Sequence, residues 1–323
     1  MKCTSRKISA FLCILLIMIL FSGCTKKQPE VSYKNNNDIK NSLIRDEKAI
    51  SFAQELCVVN EDVTENTKVE IEEVSAAGLF DVNNHEVIYA KDIHERLYPA
   101  SLTKIMTALV ALKYGNTEDT ITVTENVKIT EPGAQLCGLK AGDQLTLNQA
   151  LHALLIDSAN DSGLAIAEHV GGSIENFTQL MNEEAVAIGA TNSHFVNPHG
   201  LSDNDHYVTA YDMYLIMNEA MKYPLFNEII HMNEYETVYY DKDGKEKKMS
   251  FQTTNLFLRG NYSSPEKITV IGGKTGTTNA AGNCLILLAR DTAGNPYISV
   301  ILRASERDLL YNEMIELLKE INN

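Results

Sequence analysis

The sequence predicts an α+β fold: one antiparallel sheet assembled from both ends of the folded region, packed by helices, with a helical block inserted between its strands. Three observations predict it. Two extended runs near the start are joined by hairpin chemistry, the middle of the chain repeats at helical period, and strand-period runs return before a closing amphipathic helix.

The chain opens with a different kind of segment. Lys2, Arg6 and Lys7 precede an uncharged, largely apolar run over residues 8 to 21, too short for a comfortable span, which reads as a secretory signal. It ends Leu20-Phe-Ser-Gly-Cys24, which resembles the lipobox at which bacterial lipoproteins are cut and their cysteine lipidated, with Phe21 where Leu is more usual. An uncleaved amphiphilic anchor with Cys24 incidental is the alternative. Either reading places the domain outside the cytoplasm and tethered to a membrane. Residues 25 to 48 are polar and rich in Lys and Asn, as a flexible stalk would be. Residues 49 to 57 suggest a short helix and 60 to 68 are polar again, so the expected organisation is signal 1–23, linker 24–68 and catalytic domain 69–323.

The first strands are expected at residues 73 to 80 and 86 to 90, joined through Asp81, Val82, Asn83 and Asn84. A helix then starts at Ser101. Ile105, Met106, Leu109, Val110 and Leu112 give it an apolar stripe, Gly115 stops it, and Pro99 keeps Tyr98 extended at its start. Helical apolar faces recur over 147 to 155, 162 to 170, 174 to 188 and 210 to 223. Strands follow at 267 to 274, 284 to 289 and 297 to 302, with a turn over 291 to 295, and a helix over 306 to 321 ends the chain.

Composition excludes several classes. A chain of 323 residues with no Trp and ordinary aliphatic content buries a substantial core. Without residues 1 to 23 it carries 25 basic against 43 acidic residues, a net of −18, which argues against nucleic-acid binding. Of six cysteines, Cys3 and Cys13 leave with the signal and Cys24 takes lipid. Cys57, Cys137 and Cys284 are odd in number and far apart, with no disulfide or metal spacing.

Three short motifs carry chemistry. Ser101 and Lys104, in Tyr98-Pro-Ala-Ser-Leu-Thr-Lys104, stand at i and i+3 on one helix face, where an amine can activate a hydroxyl; read alone, the stretch favours Ser101 as a helix N-cap beside a solvated lysine. Ser158 and Asn160 lie at another helix start, where they can relay a proton and hold an amide, or simply cap. Lys274, Thr275 and Gly276 end a strand, with cation and hydroxyls suited to a carboxylate and no Cβ at Gly276 to obstruct an approaching peptide. Decoys exist: Ser264 and Lys267 repeat the first spacing on a polar turn, and Ser202 and Asn204 repeat the second in a loop.

The order SxxK, SxN, KTG is the motif set of penicillin-binding proteins and serine β-lactamases. The longer strings from Tyr98 to Leu112, Asn197 to Asp203, His206 to Met213, Gly273 to Thr277 and Ala281 to Cys284 resemble the D-alanyl-D-alanine carboxypeptidases, over roughly Val74 to Ala304. The resemblance implies their fold, hydrolysis of the terminal D-alanine from peptidoglycan stem peptides ending in D-Ala-D-Ala, β-lactams as covalent inhibitors, and no metal or organic cofactor. It further implies Ser101 as nucleophile, Lys104 as its base, Ser158 as proton relay and Asn160 as holder of the substrate amide and Lys104. Lys274, Thr275, Gly276 and Thr277 would bind substrate, with the N–H groups of Ser101 and Thr277 as oxyanion hole. Many members continue into a β-rich domain and a membrane helix, so attachment here would fall to Cys24.

Two other enzyme chemistries and one non-enzyme role share some of these signals. A β-lactamase needs a deacylating base, for which Glu168, Glu175, Glu183 and Glu184 are available, none in a recognisable loop. His199, Asp203, Asp205 and His206 lie close enough in sequence to be read as a metal cluster, but a loop of satisfied polar residues is the preferred account, with His199 structural. A penicillin-binding sensor would be favoured by loss of Ser101, Lys104 or Lys274, and all three are present.

Overall fold

Val74–Asp81 (β1) and Glu86–Lys91 (β2) form the expected hairpin, and Asp81 closes it by accepting from the N–H groups of Asn83 and Asn84. Three long strands complete the sheet: Thr269–Thr278 (β7), Gly282–Arg290 (β8) and Pro296–Ala304 (β9). Their order is β2-β1-β9-β8-β7 and every pairing is antiparallel, so strands from both ends of the fold meet where β1 pairs with β9. This computed structural model describes residues 53–65, 69 and 71–322, which belong to the unit Phe52–Asn323. The signal segment and Cys24 lie outside the described residues.

The sheet is covered on both faces, which is why β8 and β9 read as near-continuous apolar runs rather than as alternating ones. On one face Leu79, Leu285, Leu287 and Ile301 meet Leu310, Met314, Leu317 and Leu318 of the last helix, Arg307–Lys319 (α7). On the other, Phe80, Ile286, Ile298 and Val300 meet the helical block: Thr103–Tyr114 (α1), Leu147–Leu155 (α2), Asn160–Gly171 (α3), Ile174–Ala187 (α4) and Ala210–Ala220 (α5). Helix α1 runs through the centre of that block. Every residue from Thr103 to Ala111 is buried, so the apolar stripe seen in the sequence is part of a helix enclosed on all sides up to its last turn.

Two parts were not predicted. Thr120–Thr122 (β3), Gln144–Thr146 (β4), Glu234–Tyr240 (β5) and Glu246–Gln252 (β6) make a second antiparallel sheet, and Pro224–His231 (α6) is a further helix with proline in its first turn. β3 and β4 are too short for any period to show. β5 and β6 carry charges on an exposed ribbon turned by Asp241, whose carboxylate accepts from the N–H groups of Asp243 and Lys245.

The folded unit also begins before the expected start at Val69. Cys57 is fully buried: its N–H donates to the Tyr214 hydroxyl, its carbonyl accepts from Tyr211, and Val63 pairs with Ala90 beside β2. Leu56, Val59 and Val63 pack against the core beside Cys57, but exposed residues alternate with them and interrupt any helical or strand period, which concealed the segment.

Candidate active site

The site forms where α1, the start of α3 and β7 converge. Ahead of α1 the chain makes a 3-10 turn, Ala100–Leu102, with Ala100 at φ +48, a left-handed conformation that costs a non-glycine residue of order 1 kcal/mol or more. Surrounding contacts hold it there. His206, 1% exposed, approaches Thr103 Oγ1 to 2.8 Å, and that hydroxyl donates to the Ala100 carbonyl at 2.9 Å. Because Thr103 gives its proton to Ala100, His206 must be the donor through Nε2, leaving Nδ1 to accept from the Val196 N–H. Burial holds this imidazole at about 4, so it is neutral at ordinary pH. Gly200 lies against the same turn; a Cβ on it would sit 1.8 Å from the Ala100 oxygen, and its φ of +88 suits only glycine.

Ser101 does not cap the helix: neither the turn nor α1 has a side-chain cap. Its Oγ instead accepts from Lys104 Nζ at 2.9 Å. Lys104 has no exposed surface, and the same nitrogen donates to Asn160 Oδ1 and to the His199 carbonyl, both at 2.6 Å. Three acceptors satisfy an ammonium. Burial first, and the charge of Lys274 second, push its pKa well below that of an ordinary lysine, favouring an amine that can take the Ser101 proton.

Ser158, between α2 and α3, is also left-handed at φ +63, and its Oγ accepts from Lys274 Nζ at 3.0 Å. Lys274 is 1% exposed, donates as well to the Thr275 carbonyl, and is lowered to about 7 by burial. Asn160 is the first residue of α3, and its N–H donates to the Gln135 carbonyl. Neither residue of this pair acts as a cap. Next to Asn160, the buried Asp161 carboxylate accepts from the N–H groups of Cys137, Gly138 and Leu139, fixing the 135–139 loop against the site. Asp161 was not singled out from sequence, although an acid directly after the second motif, in the first turn of a helix, was a visible signal.

Lys274, Thr275, Gly276 and Thr277 belong to the edge strand β7, which continues four residues past its expected end at Lys274. Gly276 has a neighbour within the fold that the sequence reading did not foresee. A Cβ there would lie 2.9 Å from the Ser101 nitrogen and 3.0 Å from the Pro99 oxygen, so the missing side chain makes room for the Ser101 turn. Both atoms are backbone and cannot swing away. Gly276→Ala is therefore expected to slow acylation by a β-lactam about 100-fold, by displacing Ser101 from β7; stopped-flow acylation checks this, and an unchanged rate would contradict the close packing.

The remaining sequence candidates separate cleanly. Ser202, set aside as a loop residue, lies by the end of β7 with its hydroxyl 3.0 Å from Thr278 Oγ1, while Ser264 is in the loop before β7. Glu168 accepts from Thr124 and Asn126, Glu183 from Gln179 and Glu184 from Lys113, so these three are engaged away from Ser101. Among the described residues no group of three His, Cys, Asp or Glu is placed to hold a metal ion. Cys284 pairs with Gly276 across β7 and β8, and burial pushes its thiol up to about 12, which leaves it unreactive.

A family model described as D-alanyl-D-alanine carboxypeptidase, peptidase S11, matches residues 62–306. The chain is 33% identical over 252 residues to the carboxypeptidase DacF of Bacillus subtilis, covering 76% of this chain and 61% of that one. It is 35% identical over 250 residues to DacC of Escherichia coli, covering 74% and 59%. It thus spans about three fifths of the length of these relatives. The crystal structure of the Streptomyces K15 DD-transpeptidase superposes with a TM-score of 0.72 at 26% identity, covering 79% of this chain and 98% of that one.

Proposed function

Because the chain belongs to the D-alanyl-D-alanine carboxypeptidase family of serine peptidases, we propose that it removes the terminal D-alanine from peptidoglycan stem peptides through an acyl-enzyme on Ser101. The observation that carries this reading is the bridging of Ser101 and Asn160 by a single buried, pKa-lowered lysine.

In the neutral form Lys104 takes the Ser101 proton as Oγ attacks the carbonyl of the penultimate D-alanine. The oxyanion that forms lies toward the N–H groups of Ser101 and Thr277. Collapse breaks the peptide bond, and the leaving amine receives a proton through Ser158, whose Oγ accepts from Lys274. Asn160 holds the substrate amide, while Lys274 and Thr275 on β7 receive the terminal carboxylate; Thr277, whose hydroxyl donates to Asn283, contributes its backbone N–H to the oxyanion hole. Water, deprotonated in the same way, then attacks the ester and frees Ser101. Nothing in this sequence of steps calls for a metal or organic cofactor. A β-lactam enters the same first step, and its ring-opened adduct blocks the second.

The enzyme acts outside the cytoplasm, with residues 1–23 as signal and Cys24 as the lipidated anchor; the polar residues that follow are the spacer. Cys24→Ala is expected to move the protein from the membrane fraction to the soluble fraction without loss of turnover. Persistent membrane attachment of that variant would remove the lipid-anchor assignment.

The function is tested by incubating the full-length protein with a peptide ending in D-Ala-D-Ala and measuring free D-alanine. Release that is blocked by penicillin supports the reading. Absence of release, with penicillin still bound covalently, would move the chain to a non-hydrolytic penicillin-binding role.

A further inference from the structure

Thr275 and Thr277 of β7 do not stand in the same hydrogen-bonding state. Thr275 and Thr277 are two residues apart and therefore project from one side of the strand. Asn283 Nδ2 donates to the carbonyls of Ala304 and Ser305, which fixes its Oδ1 as the atom facing Thr277, 3.1 Å away. The Thr277 hydroxyl must then donate to Asn283, so its proton is already committed. Thr275 has a different neighbour: its Oγ1 lies 2.6 Å from Thr254 Oγ1, a pair in which either oxygen can donate.

Thr254 itself is held from both sides. The Thr253 N–H donates to the Asn233 carbonyl at 2.8 Å, and buried Asn255 accepts from the Phe257 N–H through Oδ1. The Leu256 N–H donates to the Tyr311 hydroxyl on α7. These bonds anchor the segment after β6 to both the ribbon and the last helix, and so they fix where the Thr254 hydroxyl points.

We propose that Thr254 is a positioning residue for the terminal carboxylate: it donates its proton to Thr275, which turns the Thr275 hydroxyl into a donor aimed at the anion. An anion selects this direction of the pair. A donor cannot be supplied by Thr277 without breaking its bond to Asn283, whereas the Thr254–Thr275 pair only needs to choose one of two equivalent orientations. A chain of donors ending on a charge also polarises in one sense, each bond strengthening the next. The inference rests on the carboxypeptidase reading given above, and it extends the carboxylate site to a residue outside all three motifs.

The test is steady-state release of D-alanine from a peptide with a free terminal carboxylate by the full-length protein and its Thr254→Val and Thr254→Ser variants. Thr254→Val is expected to raise KM about tenfold with kcat changed less than twofold, and Thr254→Ser, which keeps the hydroxyl, to restore the original KM. A Thr254→Val enzyme with unaltered KM overturns the inference, as does a Thr254→Ser enzyme as impaired as Thr254→Val, which would mark a packing role instead. Failure of the unmutated protein to release D-alanine would defeat the underlying reading, an outcome separate from either of these.

Discussion

Ser101→Ala is expected to abolish both D-alanine release and covalent labelling by penicillin. The change removes one oxygen from a turn whose backbone is held independently, by the Thr103 hydrogen bond to the Ala100 carbonyl, itself backed by His206, and by the contact with Gly276. The fold therefore persists while the nucleophile is lost. Loss of a nucleophile in a serine enzyme typically lowers kcat by a factor on the order of 10⁶, so no turnover above background should remain. Gel fluorography with a labelled penicillin and a coupled D-alanine assay read the two effects separately. A variant that still labels would place the nucleophile elsewhere, with Ser202 beside Thr278 the first alternative to examine.

The second large effect belongs to Lys104. Lys104→Met keeps much of the buried stem but removes the nitrogen that bonds Ser101, Asn160 and the His199 carbonyl. Acylation should fall by about 10³-fold, within the range for loss of a positioned base acting on a poor nucleophile. Lys104→Arg should be no better, because a guanidinium does not deprotonate and its planar fork does not fit three acceptors arranged around one nitrogen. The pH dependence gives the sign. A base must be neutral, so in the unmutated enzyme acylation falls as pH drops through the lowered pKa of Lys104. On the alkaline side it falls as Lys274, set at about 7 by burial, loses the charge that attracts the carboxylate. Rates of β-lactam acylation between pH 5 and pH 10 check both limbs. An acid limb that survives unchanged in Lys104→Met would assign that titration, and the base, to another group.

What could be read from the sequence follows from where information is local. The serine and lysine of the first motif are one helical turn apart, so their meeting was visible as spacing. The meeting of Lys104 with Asn160, 56 residues away, was reached only through the resemblance that the order of three motifs carried, and that of Ser158 with Lys274, 116 residues away, was not foreseen. The decoys show why order mattered, since Ser264 with Lys267 has the same spacing as Ser101 with Lys104 but no enclosed helix behind it. The main sheet was legible because β8 and β9 are long and apolar. The second sheet was not, because β3 and β4 have three residues each and the β5 and β6 ribbon alternates charged and aromatic residues over an exposed surface.

Residues that shape the site through the backbone left the weakest trace. His206 suggested a metal ligand or a loop residue, and its work is to hold the Ala100 carbonyl through Thr103. His199 contributes a carbonyl to Lys104 rather than its imidazole, a role no side-chain pattern encodes. At Gly276 a Cβ would meet the backbone of Pro99 and Ser101, a neighbour that the local sequence did not reveal. Ala100 and Ser158 gave no signal at all: left-handed backbone at non-glycine residues is imposed by surroundings that the local sequence does not contain.

The central claim is that Ser101 is the residue acylated during turnover. It is tested most directly by trapping the protein with a penicillin, digesting it and locating the adduct by mass spectrometry. The adduct is expected on the peptide containing Ser101 and Lys104, with fragment ions placing the added mass on Ser101. An adduct located on Ser158, Ser202 or any other residue would contradict the account.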